Sequence, residues 1–149
     1  MFDDIAQNVN NPTKGIIINW PNGKDVYAGV SKDYTRADVT PANFLKVLAG
    51  KATTLQSGAA GKVLNSGPND NIFVFFSDHG GPGIIAFPNE LLQAADLIKT
   101  LKTMHTNKLY NQLVFYLEAC ESGSMFDNLL PVVFHYFHRC QIIVQCYNF

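Results

Sequence analysis

The sequence predicts an α/β fold whose sheet is mostly parallel. Two apolar runs, residues 72–76 and 113–117, contain β-branched and aromatic residues without polar alternation. Runs of this kind are typical of strands that are buried on both faces of a parallel sheet. An amphipathic segment between them is long enough to be the crossover helix that parallel neighbours need. We therefore expect a doubly wound, three-layer α/β arrangement.

The helices are indicated by their ends and by the spacing of apolar residues. Thr40 and Pro41 form a helix start, Gly50 marks its end, and Phe44, Leu45 and Leu48 fall on one face. For the crossover helix, Asn89 is the N-cap candidate. Its apolar residues recur at steps of three and four: Leu91, Ala94, Ile98 and Leu101. Residues 83–88 and residues 16–18 are short apolar segments that we expect to form small strands.

Each long apolar run is followed by a motif that carries reactive side chains. Ser-Asp-His-Gly-Gly occupies residues 77–81, and Glu-Ala-Cys-Glu-Ser-Gly-Ser occupies residues 118–124. His79 and Cys120 each come three residues after the run that precedes them. Parallel neighbours lie about 4.8 Å apart, so equal offsets bring both side chains to the carboxyl edge of the sheet. A thiol beside an imidazole is the pairing that nucleophilic catalysis uses.

Other histidines and cysteines favour structural interpretations. For Cys120 the ordinary alternative is a small buried hydrophobe at a strand end, and for His79 it is a turn residue bonded to the backbone. His105 lies on the apolar stripe of the crossover helix, where a packing or surface role is expected. Three cysteines, Cys120, Cys140 and Cys146, form an odd set that argues against a disulfide framework. His135 and His138 could join Cys140 and Cys146 around zinc, but their crowding fits no usual ligand spacing, so we expect no metal.

Composition excludes several classes of function. The chain has 149 residues, a net charge of −1 and 15% charged residues against 47% hydrophobic ones. One domain is expected from this length, and no basic run or aromatic-basic platform suggests nucleic acid as a partner. No window reaches the ~18 apolar residues of a membrane-spanning helix, and no signal peptide is visible.

With these motifs in place, the sequence resembles the legumains, the asparaginyl endopeptidases of peptidase family C13, which have a caspase-like α/β fold. The resemblance covers residues 1–130, as a partial catalytic domain. The blocks that carry it, besides the two motifs, are residues 1–6, 11–13, 21–27, 32–35, 61–64, 66–68 and 125–126.

The resemblance implies a role for each residue of the two motifs. It implies that Cys120 is the nucleophile, that His79 is its base, and that the backbone N–H groups of Gly80 and Cys120 hold the oxyanion. It also implies that Glu118 binds the amide of a substrate Asn, and it marks Asp78 and Glu121 as candidate modulators. The implied activity is cleavage of peptides or proteins after Asn, less often Asp, in a lysosome or vacuole and without a cofactor.

The chain departs from the family pattern at both ends. The family's opening strand, with an Asn that orients the histidine and an Arg that holds the substrate, is not found, and residues 131–149 form a divergent hydrophobic tail. We therefore expect an incomplete fold, truncated at both ends, with little activity and poor solubility. Residues 141–145 have the composition of an aggregation-prone strand unless they fill a place in the sheet.

Two alternatives remain open at the level of sequence. One is a catalytically inactive truncated isoform or pseudo-enzyme that acts as a binding module. The other is a subunit like the catalytic one of the glycolipid-anchor transamidase, against which the Glu-Ala-Cys-Glu-Ser-Gly-Ser motif argues.

Overall fold

The structure is a computed structural model that describes residues 5–51 and 61–127 in full and the backbone of residues 133–138 and 141–147. Two α-helices are described, α1 (Pro41–Leu48) and α2 (Ala94–Thr106). The described strands are β1 (Asn71–Ser77), β2 (Gly80–Gly81), β3 (Ile84–Ala86), β4 (Leu91–Gln93), β5 (Gln112–Glu118), β6 (Val133–His138) and β7 (Gln141–Tyr147). Short 3-10 helices lie at Ile5–Gln7, Arg36–Asp38 and Ser122–Met125.

The main sheet has the strand order β1-β5-β7-β6. Strands β1 and β5 are parallel, with Cα partners running from Asn71 and Gln112 to Ser77 and Glu118. This pairing, with α2 between the two strands in the chain, confirms the α/β class and the expected parallel neighbours. Strand β7 pairs antiparallel with β5, and β6 pairs antiparallel with β7. The stretch 141–145 therefore lies within a paired strand of the sheet.

A second, small sheet follows β1 directly and has the order β2-β3-β4, with both pairings antiparallel. The strand expected within residues 83–88 is confirmed as β3. Its hairpin partner β2 begins at Gly80, so the chain turns back on itself immediately after His79.

Helix α1 forms where its local signals predict it. The Thr40 hydroxyl caps the helix by accepting from the Asn43 backbone N–H at 3.1 Å, and Pro41 occupies the first turn, where its missing N–H has no partner to lose. Gly50 has φ +68, a conformation that glycine adopts without strain, just past the helix end. On the buried face, the Phe44 ring packs against Phe76. It also packs against Phe87 and Phe115.

Helix α2 begins later than expected, so Asn89 is not its N-cap. Residues Leu91–Gln93 pair with β3 instead, and Gln93 is an N-cap residue that makes no side-chain capping bond. The N–H of Ala94, the first helical residue, donates to the Gly83 carbonyl at 2.9 Å. Pairing with β3 therefore outweighed the local signal for a helix start at Asn89. The buried residues of α2 are Leu97, Leu101 and Met104.

The hydrophobic core lies on one face of the β1–β5 pair. Ile72 and Val74 of β1 and the buried residues of β5 pack with both helices there. On the other face, Phe73 is 64% exposed and Phe75 is 56% exposed, while the Phe73 and Tyr116 rings stack edge to face at 5.1 Å. The expectation that these strands would be buried on both faces is therefore wrong for the residues the structure describes. No helix among those residues has both the length and the apolar character needed to span a bilayer.

Residues 16–18 form no strand, contrary to expectation, although Val26 N–H donates to the Ile17 carbonyl at 2.8 Å. The Asp25 carboxylate also bonds to the segment. Asp25 Oδ1 accepts from the backbone N–H of Tyr27 at 2.9 Å and of Ile17 at 3.0 Å. These bonds, that of Tyr27 first, favour the charged form and lower the pKa of the Asp25 carboxyl below its ordinary 3.8.

Candidate active site

The two reactive motifs meet at the carboxyl edge of the β1–β5 pair. Ser77 and Glu118 are Cα partners at the last rung of the ladder. One residue further on, the Asp78 N–H donates to the Glu118 carbonyl at 3.2 Å, so the chains are still bonded beyond the last rung. The structure confirms the register that the equal offsets predicted, because Phe76 and Leu117 are Cα partners. His79 and Cys120 each lie three residues beyond this pair.

The backbone of His79 is held on both sides while its side chain is exposed. Its N–H donates to the Asp78 carboxylate at 2.6 Å, and its carbonyl accepts from the Ala86 N–H of β3 at 2.9 Å. The Asp78 carboxylate thus bonds the backbone of the next residue, and β3 fixes the start of the hairpin. The imidazole extends from a fixed backbone into solvent.

Gly80 lies directly against the chain at Cys120. A Cβ built on Gly80 would be 2.5 Å from the Cys120 carbonyl oxygen and 3.0 Å from Ala119 Cβ. Real Cβ atoms do not come that close to a carbonyl oxygen, so only glycine fits here. The Gly80–Ile85 pair is flanked by the bond from Ala86 to His79, which makes it a non-hydrogen-bonded pair. The Gly80 N–H therefore points away from β3.

Cys120 stands exposed at the head of a tight turn. Ala119 before it is buried, and the Ser122 N–H closes the turn by donating to the Ala119 carbonyl at 3.2 Å. Glu121 has φ 55 and ψ 26, the left-handed region that side-chain-bearing residues seldom occupy. Met125, at the end of the 3-10 helix that follows, is fully buried and anchors the segment.

Ser124 is a site residue that the sequence did not reveal. Its hydroxyl accepts from the Gly83 N–H at 2.7 Å and donates to the Glu121 carbonyl at 2.6 Å. It thereby bonds the hairpin that follows His79 to the turn that follows Cys120. Gly83 and Ser124 are 41 residues apart, so no local pattern could have indicated their contact.

The remaining predicted residues surround an open surface. Glu118 is half-buried at the end of β5, whereas Asp78 and Glu121 are exposed. A cleft of about 650 Å³ along β1 reaches Asp78, and a shallower depression of about 770 Å³ beside α2 reaches Ser124. His79 and Cys120 line neither of these cavities, and both residues are exposed to solvent.

The residues of the zinc alternative fall largely outside the part of the chain that the structure describes. Cys140 lies outside the described residues, as do the side chains of His135, His138 and Cys146. His105 is in α2, where its ring lies 6.3 Å from that of Tyr110, in keeping with a packing role.

Comparison with known proteins decides the family. The profile of the Peptidase C13 family matches residues 1–137. The chain belongs to the peptidase C13 family. This C13 chain is 57% identical over 131 residues to a legumain of Bos taurus, a match that covers 88% of the chain and 30% of the relative.

Two plant relatives give similar values. Identity is 56% over 132 residues to a vacuolar-processing enzyme of Vicia sativa, covering 88% of this C13 chain and 27% of the relative. It is 52% over 132 residues to a legumain of Canavalia ensiformis, with 88% and 28% covered. The chain thus spans about 30% of the length of the relatives it matches.

Proposed function

We propose that this segment carries the nucleophilic centre of a legumain-like cysteine endopeptidase, with Cys120 as nucleophile and His79 as its base. One observation supports this most directly: the chain after β1 and the chain after β5 meet, with Gly80 against the Cys120 carbonyl. His79 and Cys120 are both exposed at this junction, which supports the pairing of a base with a thiol.

The proposed reaction is acyl transfer through a thioester. His79 takes the proton of the Cys120 thiol as the sulfur attacks the scissile carbonyl carbon. The C–N bond then breaks, and the imidazolium gives its proton to the leaving amine. A water molecule that loses a proton to His79 attacks the thioester, the C–S bond breaks, and the proton returns to the sulfur. Acid–base assistance of this kind contributes ~10²–10⁴-fold to the rate.

The tetrahedral oxyanion needs donors that are already in place. In the proposed site these are the backbone N–H groups of Gly80 and Cys120. The Gly80 N–H points away from β3 and makes no bond within the hairpin. This orientation supports its role as a donor to the oxyanion.

Substrate preference and cellular location are proposed from the resemblance. Glu118, half-buried beside the junction, would accept from the amide of a substrate Asn, which gives cleavage after Asn and less often Asp. Asp78 and Glu121 would modulate the site through the charges they place beside His79 and Cys120. The substrates would be peptides or proteins, and the compartment a lysosome or vacuole, in line with the name vacuolar-processing enzyme.

Affinity labelling of the 149-residue chain tests the proposal without relying on turnover. Peptidyl electrophiles that differ only in the residue before the reactive group, Asn or Gln, are compared for their rate of reaction with Cys120. We expect the Asn reagent to react about 10-fold faster, since one methylene in a fitted pocket changes a rate by ~10–200-fold. Glu118→Ala should abolish that preference, and His79→Ala should slow both reagents.

Equal labelling by the two reagents in the unaltered chain would overturn the Asn preference, and indifference to His79→Ala would overturn the Cys/His pair. Hydrolysis of an Asn peptide, measured with Cys120→Ala as the blank, distinguishes a peptidase from a binding module. Selective labelling without hydrolysis would leave a binding module rather than a peptidase.

A further inference from the structure

The Ser124 hydroxyl forms two hydrogen bonds that link the two halves of the candidate site. It accepts from the N–H of Gly83, in the turn between β2 and β3, at 2.7 Å. It donates to the carbonyl of Glu121, the residue after Cys120, at 2.6 Å. Only a group that both accepts and donates can make these two bonds at once, and a hydroxyl is such a group.

On the Cys120 side, Ser124 stabilises an unfavourable backbone conformation. Glu121 is in the left-handed region, and a residue with a side chain stays there only when its surroundings fix it. The Glu121 carbonyl accepts from the Ser124 hydroxyl and also from the Ser124 N–H at 2.9 Å. Ser124 thus donates two bonds to this carbonyl, which set the direction in which the chain leaves Cys120.

On the His79 side, Ser124 acts through the hairpin. The Gly83 carbonyl accepts from the Ala94 N–H at 2.9 Å, so Gly83 is fixed between Ser124 and the start of α2. The same hairpin contains Gly80, which lies against the Cys120 carbonyl. A shift of Gly83 would therefore be passed along a hairpin of a few residues to the backbone of His79.

We propose that Ser124 is a positioning residue whose hydroxyl fixes the separation between the His79 and Cys120 backbones. The inference rests on the proposed function, because that separation affects chemistry only if the two side chains react together. Misplacement by about 1 Å can reduce a rate by ~10²-fold. Loss of the hydroxyl should therefore have a larger effect, expressed as a free energy, on the reaction of Cys120 than on the folding of the chain.

Ser122 provides a matched control within the same motif. It is 0% exposed, and its hydroxyl has no hydrogen-bond partner among the residues that the structure describes. Ser122→Ala removes the same oxygen atom from the same loop as Ser124→Ala, but breaks none of the described bonds. Ser124→Thr keeps the hydroxyl and serves as the conservative variant.

The experiment measures alkylation of Cys120 by iodoacetamide as a function of pH in the 149-residue chain. Trypsin releases residues 109–139 as one peptide whose only cysteine is Cys120, and residues 140–149 as a second peptide with Cys140 and Cys146. Mass spectrometry of the first peptide gives the rate at Cys120, and the second gives an internal reference for reagent and pH.

We expect Ser124→Ala to reduce the rate at Cys120 by about 10-fold and to give it a pH profile that resembles that of the His79→Ala chain. Ser124→Thr and Ser122→Ala should stay within about 2-fold of the unaltered chain. A pH profile is the chosen readout because a merely structural serine would leave it unchanged.

His79→Ala separates failure of this inference from failure of the proposed function. If His79→Ala changes the profile and Ser124→Ala does not, the positioning role is wrong and the Cys/His pair stands. If neither variant changes it, both proposals are wrong. Circular dichroism gives the last check. If the Ser124→Ala chain loses its helix signal to the same extent as its rate of Cys120 alkylation, Ser124 acts on overall stability and the inference is overturned.

Discussion

Replacement of Gly80 by alanine should force apart the two loops of the candidate site. The added Cβ would lie 2.5 Å from the Cys120 carbonyl oxygen and 3.0 Å from Ala119 Cβ. Carbon and carbonyl oxygen ordinarily stay about 3.3–3.6 Å apart, so the gap must open by roughly 1 Å. The Cys120 oxygen belongs to the backbone, so rotation of a flexible side chain cannot relieve the clash. Gly80 is outside the left-handed region, which makes the penalty steric.

Two quantities should change. Overpacking of this kind costs about 1–3 kcal/mol of folding free energy. For a chain of this size that corresponds to a fall in Tm of roughly 2–12 °C. A displacement of about 1 Å between Gly80 and Cys120 should also reduce the reactivity of Cys120 toward a peptidyl electrophile by ~10²-fold.

The neighbouring glycine is the matched control. A Cβ on Gly81 would lie 3.5 Å and 3.6 Å from Ile84 side-chain atoms, which is ordinary contact. Thermal unfolding and labelling of Cys120 are measured for Gly80→Ala, Gly81→Ala and the unaltered chain. Gly81→Ala should match the unaltered chain to within about 1 kcal/mol, because Gly→Ala changes at unstrained positions have small effects. If Gly80→Ala behaves like Gly81→Ala, the close approach to Cys120 does not constrain the site.

Two predictions concern the scaffold. Thr40→Ala removes the cap that accepts from the Asn43 N–H and should destabilise the chain by about 1 kcal/mol in thermal unfolding, whereas Thr40→Ser should restore stability. The folded-state pKa of Asp25 lies below 3.8, its ordinary value in the unfolded chain. The bonds to its carboxylate therefore stabilise residues 16–27 fully above pH 3.8, and this stabilisation is lost as the pH falls through the lower folded-state pKa. The single tryptophan, Trp20, should therefore show a fluorescence transition below pH 3.8, and Asp25→Asn should remove it; a midpoint at or above 3.8 would contradict the assignment.

Some parts of this structure follow from short stretches of sequence. Helix α1 is one, because its cap Thr40, its first residue Pro41 and the glycine at position 50 act within a single segment. The register of β1 and β5 is another, since their apolar runs and the helical crossover leave a parallel pairing as the simple solution. From that register, the approach of the His79 and Cys120 motifs follows by counting residues.

Other parts depend on contacts that no short stretch contains. Leu91–Gln93 became a strand because β3 was available to pair with it, which displaced the helix start that Asn89 indicated. Phe73 and Phe75 are exposed because burial depends on which face the helices cover, and the described helices cover the other one. An apolar run by itself contains no information about that choice.

The sequence by itself determined which residues could do chemistry here, because a cysteine and a histidine at equal offsets from two apolar runs are a property of chain order. Only the tertiary structure decided how they are held. The contact of Gly80 with the Cys120 carbonyl and the Ser124 bond to Gly83 join segments that are about 40 residues apart. Such contacts form only after the sheet brings the strand ends together, since closing a loop of that length is unfavourable until other interactions offset its entropy.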